Sequence, residues 1–249
     1  MSNPVKIIGV PISPYVRKVL AVLSFKGIAY EIDPVTPFFG DARFTSVSPL
    51  RRIPVYQDDR VTLCDSSVIC QYLEDRWPSP ALYPQDIAER AQSRWIEEYA
   101  DTRIGDVFIW KLFNNAVIGP AIFGTPRDKD MRQRAIDNDL PDIMNYLEAR
   151  APEAGFFFGG LGIADLSVAP LFANLAFARV DPDWNRWPRT GAWLKRVMVE
   201  TDLGRLAELA GRFLVAMPDQ HRFVATEAGF NVTPTTMMGD RPVKGPMSL

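Results

Sequence analysis

The apolar pattern of this chain changes period once, near Pro84. Before that point the apolar runs are short and rich in β-branched residues. Lys6-Ile7-Ile8-Gly9-Val10 suits a buried strand. Ser13-Pro14 then supplies a helix cap and a proline at the first helical position, where its missing N–H is of no consequence. Val16, Val19, Leu20 and Leu23 give that helix an apolar stripe, and Gly27 ends it. Tyr30 to Asp33 predicts a second strand, and Pro37-Phe38-Phe39-Gly40 a loop leading to a short helix around Phe44. Val55-Tyr56-Gln57 and Val61-Thr62-Leu63 predict a hairpin about Asp58-Asp59-Arg60, followed by a helix through Val68, Ile69, Tyr72 and Leu73 that closes at Trp77-Pro78. The predicted order is β-α-β, then β-β-α.

Beyond Pro84 the strand signals stop. Ile87 to Phe113 reads as one long helix, with Trp95, Tyr99, Val107 and Trp110 among its large apolar residues. A second runs from about Asp128 to Arg150, where Met131, Ile136, Leu140, Ile143 and Leu147 recur at helical spacing and Pro141 predicts a bend. Phe156 to Asp165 leads into an apolar helix reaching about Ala178, and two more follow at Trp187 to Val199 and Asp202 to Leu214. Residues 218–249 show no period, with four prolines and three glycines, and read as an extended tail lying over the helical region or a partner subunit.

The most informative stretch is Ser48-Pro49-Leu50-Arg51-Arg52-Ile53-Pro54-Val55, with Asp65-Ser66-Ser67 soon after it. Proline donates no ladder hydrogen bond, so Pro54 belongs at the first residue of its strand. A cis Ile53-Pro54 bond there would leave the backbone of Ile53 open to an extended peptide, by strand addition. Asp65-Ser66 falls where the next helix begins, and a helix N-terminus with a hydroxyl is a site for a carboxylate. Backbone for a peptide and a hole for an anion together describe a small-peptide site.

On these residues the chain resembles the glutathione transferase family. The resemblance implies an α/β thioredoxin-like N-terminal domain plus an all-α C-terminal domain. Their bounds would be 1–84 and 85–217, with the tail at 218–249. It implies that glutathione is the co-substrate. Ile53 and Pro54 would then hold its cysteinyl unit, Asp65 and Ser66 its γ-glutamyl end, and Arg52 its glycyl carboxylate, for which the arginine fork is suited. The family's cap residue before Asp165, a serine or threonine, is here Gly162. Glycine is tolerated as an N-cap at a cost of a few tenths of a kcal/mol, so Asp165 can still close that turn.

Glutathione brings its own nucleophile, and the protein must make it a thiolate. Ser13, after the first strand and at the start of the first helix, stands where serine-type members place their activating hydroxyl. A plain N-cap is the competing role. Tyr15 lies inside the helix, the wrong place for tyrosine-type members. No cysteine occupies position 13, and the Ser-Ser-Cys signature of the maleylacetoacetate isomerase branch is missing. Tyr15, Phe38, Phe39, Phe108 and Phe113 are candidates to line a pocket for an apolar electrophile. The family also implies a homodimer, in which Asp101 of the partner subunit would approach the γ-glutamyl amine.

Composition narrows the field further. A net charge of −2 argues against nucleic acid or an anionic membrane as the main partner. Cys64 and Cys70 with a single histidine build neither a metal site nor a disulfide framework, and read as inert buried thiols. The apolar run from Val5 to Ile12 is too short for a membrane span or signal peptide, which makes the cytoplasm the default location. Three functions remain on the table. They are conjugation of glutathione to an electrophile in detoxification, a glutathione-dependent peroxidase or thiol-disulfide exchange at the same site, and a non-catalytic binding module. Retention of Ser13, Ile53-Pro54 and Asp65-Ser66 together disfavours the last.

Overall fold

The computed structural model describes residues 5–245. The chain forms two compact units, 1–80 together with 205–249, and 81–204. Residues 1–4 of the first expected domain and 246–249 of the expected tail lie outside the described part.

The first unit is built on β1 (Val5–Ile8), α1 (Pro14–Phe25), β2 (Tyr30–Asp33), α2 (Ala42–Val47), β3 (Val55–Gln57), β4 (Thr62–Cys64) and α3 (Ser66–Arg76). The sheet order is β2-β1-β3-β4, with β1 and β2 parallel and the other two pairs antiparallel. This is the thioredoxin-like arrangement. Ile7, Ile8, Val55 and Tyr56 of the central strands are fully buried, as are Val16, Val19, Leu20 and Leu23 of α1.

Two buried polar arrangements fix the helices to the sheet. Lys26, whose side chain is wholly buried, donates to Glu74 Oε2 at 2.7 Å and to the carbonyls of Trp77 and Pro80, which ties the end of α1 to the end of α3. Asp58 in the hairpin accepts from the hydroxyls of Tyr56 and Tyr72, both at 2.8 Å, and pairs with Arg76. Burial alone would raise this carboxyl. The N–H groups of Arg60 and Val61 and the two phenols outweigh it and hold the group down at about 2. The β3–β4 hairpin and the C-terminal half of α3 are therefore carried as one body.

The second unit is helical. In α4 (Ile87–Tyr99) the Asp86 side chain caps the N-terminus, and the winding continues into a wider π-helical stretch, Ala100–Ile118, and then α5 (Gly119–Phe123). Helical winding thus passes the expected end at Phe113. Asn115 does not break it, because its amide exchanges hydrogen bonds with the backbone of Asp128 at 2.7 and 2.8 Å. Gly124, in the left-handed conformation, ends it.

The expected helix from Asp128 is interrupted where Pro141 predicted a bend. It divides into α6 (Lys129–Arg134), a π-wound turn at Ala135–Asp139, and α7 (Leu140–Glu148). Proline lacks an N–H and crowds the carbonyl four residues back, so the turn ahead of it widens. The remaining helices are α8 (Ile163–Phe177), α9 (Pro188–Glu200) and α10 (Leu203–Val215), the last belonging to the first unit from Arg205 onward.

Asp165 closes the start of α8. It accepts from the N–H of Gly162 and Phe157, both at 3.2 Å, and from the indole of Trp193 at 2.7 Å. The glycine at position 162 has a local reason. A Cβ there would lie 2.9 Å from the Leu82 carbonyl, which itself takes the Ile163 N–H at 2.9 Å. The Leu82 carbonyl thus satisfies the first N–H of α8.

The tail departs from its expected form and place. It is not extended throughout: a short 3-10 turn at Pro218–Gln220 leads into α11 (His221–Glu227). Asn231 accepts from the N–H of Ile32 at 2.8 Å and Thr233 donates to the Ile32 carbonyl at 3.0 Å, so the chain runs parallel to β2 and pairs its outer edge. An open strand edge presents a row of unpaired backbone groups, and the tail satisfies part of that row.

Candidate active site

Across β1, β3 and β4 the register sets Ile8, Val55 and Cys64 in one row. Each candidate group follows the chain out of that row, at the same end of the sheet. The β1–α1 loop leaves from Ile8 toward Ser13, Ile53-Pro54 precedes Val55, and Asp65-Ser66 follows Cys64. Neighbouring strands lie about 4.8 Å apart, so three strands present these groups over about 10 Å, the scale of a tripeptide.

Gly9 joins the first two groups. Its φ is +145°, and an added Cβ would meet Val16 at 2.8 Å and Ile53 at 2.9 Å. Only glycine allows the loop this path and this approach. The Ile53-Pro54 bond is cis, and ladder pairing of β3 begins at Val55, so the backbone of Ile53 stands ahead of the first paired residue. Ser48 holds Arg52 in place through its hydroxyl, which accepts from the Arg52 N–H at 2.9 Å and donates to the Arg52 carbonyl at 2.8 Å.

Ser13 is the N-cap of α1 and is half-buried. Val16 N–H reaches its Oγ at 3.4 Å, beyond the usual hydrogen-bond range, so the hydroxyl is only loosely engaged by its own helix. Behind it, the wholly buried Arg17 donates to the carbonyls of Pro11 and Ile12 at 2.6 and 2.9 Å. Burial pulls this guanidinium down to about 9. Arg17 was not among the sequence candidates, since a cation on an apolar helix face gives no sign of which carbonyls it will meet.

Asp65 caps α3, and its Oδ1 accepts from the N–H groups of Ser67 and Val68 at 3.0 and 3.1 Å. Its φ is +137°, a conformation that costs a non-glycine residue about 1–3 kcal/mol and concentrates at functional sites. Ser66 opens the helix and is buried. Lys18, also buried, donates to Ser67 Oγ at 2.8 Å and brings a positive charge from α1 to the same helix end.

The two adjacent arginines separate cleanly. Arg51 is committed inside the unit, donating to Thr45 Oγ1 at 2.5 Å and to the carbonyls of Pro37 and Gly40 at 3.1 and 2.8 Å. Arg52, by contrast, is exposed, and its guanidinium takes no part in those bonds.

The aromatic candidates divide between the units. Tyr15, Phe38 and Phe39 are half-buried in the first. Phe108 and Phe113 are interior residues of the second, packed on Phe172 and Phe177 with ring centroids 5.4 and 6.2 Å apart. Both are part of the apolar core of that unit. Asp101 lies in the π-helical stretch of the second unit, half-buried. Cys64 donates its S–H to the Val47 carbonyl, and burial pushes the thiol up, the opposite of activation.

Comparison with known proteins bears on these features. The family model described as glutathione S-transferase, N-terminal domain, matches residues 7–81. An uncharacterized glutathione-S-transferase-like protein of Escherichia coli (strain K12) is 30% identical over 180 residues, which cover 72% of this chain and 86% of the relative. The chain belongs to the glutathione S-transferase family. A second relative is the maleylacetoacetate isomerase of Rattus norvegicus, 29% identical over 66% of this chain and 74% of that protein. Among solved structures, a glutathione transferase homologue from Drosophila mojavensis with bound glutathione superposes with a TM-score of 0.70 at 21% identity. It covers 86% of this chain and 95% of that one, and shows the shared fold. No described helix is long and apolar enough to cross a membrane.

Proposed function

We propose that the chain adds the sulfur of glutathione to a soft, apolar electrophile, with Ser13 stabilising the thiolate. The observation that carries this reading is the alignment of three groups beyond one row of the sheet: the Ser13 helix start, the Ile53 backbone and the Asp65-Ser66 helix start. In this reading Ile53 pairs with the cysteinyl backbone as an added strand. Asp65 takes the γ-glutamyl ammonium, Ser66 its carboxylate, and Arg52 the glycyl carboxylate. The Ser13 hydroxyl then donates to sulfur, whose electron pair forms the new S–C bond as the leaving group departs with its own. Pro14-Tyr15 follows Ser13 where the isomerase branch carries Ser-Cys, which supports conjugation over isomerisation. Turnover of a chloronitroaromatic in preference to an organic hydroperoxide or a maleyl diketo acid tests this choice. The reverse preference overturns it.

Asp65→Ala is expected to weaken glutathione binding by about ten-fold, the loss of one charge-assisted hydrogen bond of about 1.5 kcal/mol. A binding isotherm with glutathione and with its deaminated analogue locates the contact. Equal losses for both ligands would show that Asp65 does not meet the amine.

The same reading includes a cytoplasmic homodimer in which Asp101 of one protomer approaches the γ-glutamyl ammonium held by its partner. Sedimentation at micromolar concentration is expected to give a dimer, and Asp101→Asn to bind glutathione several-fold more weakly. A monomer with full affinity rules out the shared site.

A further inference from the structure

The tail does more than cover a strand edge, because its path continues onto the loop that supports Arg51. Beyond Thr233 the Asp33 carboxylate anchors it, accepting from Thr236 Oγ1 and the Met237 N–H, both at 2.7 Å, with Arg222 at 3.7 Å. Asp33 is buried, so this anchor lies inside the unit rather than on its surface. His221 of α11 is buried too, with its ring 3.3 Å from Thr36 Oγ1 and 3.1 Å from the Phe213 carbonyl.

From there the tail runs along residues 38–41. Asp41 N–H donates to Met237 O at 2.8 Å, Gly239 N–H to Phe39 O at 2.5 Å, and Val243 N–H to Phe38 O at 2.6 Å. Arg43 adds a bond to the Thr236 carbonyl at 2.6 Å. The other side of the same loop is held by Arg51 through the carbonyls of Pro37 and Gly40. The loop is thus clasped between the tail and Arg51.

Arg51 itself sits at φ +52°, in the left-handed region. A side chain other than glycine persists there only where its surroundings over-determine it. The determining contacts are the loop carbonyls, the Thr45 hydroxyl at 2.5 Å, and Phe44, whose ring centre lies 5.6 Å from the guanidinium carbon. The turn so fixed leads directly into Arg52-Ile53-Pro54. A continuous series of contacts therefore runs from tail to loop, from loop to Arg51, and from Arg51 to the backbone proposed to receive glutathione.

We infer that the C-terminal segment 231–243 and Arg51 together position Arg52 and Ile53 for glutathione. The inference rests on the proposed glutathione site, and Arg51 acts as a positioning residue, not a catalytic one. Loss of the clasp should raise KM for glutathione and leave the thiolate chemistry at Ser13 unchanged, since the bonds of Arg17 to Pro11 and Ile12 do not involve the loop.

The test compares four full-length or shortened chains: wild type, a chain ending at Gly229, Arg51→Ala, and the two changes combined. Each single change is expected to raise KM for glutathione by about ten-fold with kcat and the pH titration of the bound thiol unchanged. The combination is expected to be no worse than either alone, because both break one series of contacts. Arg51→Lys should restore part of the affinity. Amide hydrogen exchange at residues 38–41 and 51–53 should rise in the shortened chain, a readout that needs no ligand. Should the shortened chain fail to fold, Gly239→Pro removes the donor to Phe39 and takes its place in the set. Unchanged exchange at 51–53, wild-type KM, or additive effects would each overturn the clasp. Failure of the wild type to bind glutathione, with exchange coupled as described, would instead sink the proposed ligand.

Discussion

Replacing Ser13 by alanine is expected to lower turnover by ten-fold or more while glutathione affinity changes little. A free thiol has a pKa of about 8.5 and is mostly protonated at neutral pH. Lowering it by two units takes about 2.7 kcal/mol of preference for the thiolate, which in the proposed reading comes from the Ser13 hydroxyl and the N-terminus of α1 together. The proposed role differs from simple capping in what the variant should lose. Val16 N–H meets Ser13 Oγ only at 3.4 Å, so the helix loses little when the hydroxyl goes. Ultraviolet absorbance of the bound thiolate, titrated against pH, should show a higher pKa in the variant. An unchanged titration with unchanged turnover would reduce Ser13 to a cap.

Asp165→Ala is expected to cost about 3 kcal/mol or more of folding stability. The carboxylate is wholly buried and serves the N–H of Gly162, the N–H of Phe157 and the indole of Trp193 at once. A buried donor left without a partner costs about 1–3 kcal/mol, and the Trp193 side chain has no solvent exposure with which to recover the bond. Urea denaturation followed by fluorescence measures the change. A loss below 1 kcal/mol would mean that water or backbone replaces the carboxylate and that the turn does not depend on it. Because Gly162 leaves capping to the Leu82 carbonyl and to Asp165, the effect should exceed that of an ordinary N-cap removal, typically about 1 kcal/mol.

Both residues were readable from the chain because each sits at a helix start, where the chemistry is local. Ser13-Pro14 and Asp65-Ser66 announce their helices by residue type alone, since the groups they satisfy are two or three residues away. The same holds for the break at Pro141, whose cause is its own missing N–H. Partners distant in sequence left no such mark. Arg17 meets Pro11 and Ile12 only because α1 packs against its own approach loop. Arg51 and Arg52 are indistinguishable as letters, and only the position of the Pro37–Gly40 loop commits the first and spares the second.

What the sequence determined by itself was the order of elements as far as α10, the helix caps and the place of Pro54 just ahead of β3, all of which depend on interactions within a few residues. Tertiary structure alone decided that Phe108 and Phe113 are core residues, that Leu82 O takes the first N–H of α8, and that the tail returns to β2. The seven residues of α11 make two turns, too few to show a period. The pairing of Asn231 and Thr233 with Ile32 runs through backbone groups that every residue carries. No side-chain pattern encodes such a contact, so it exists only once the sheet has an edge to offer.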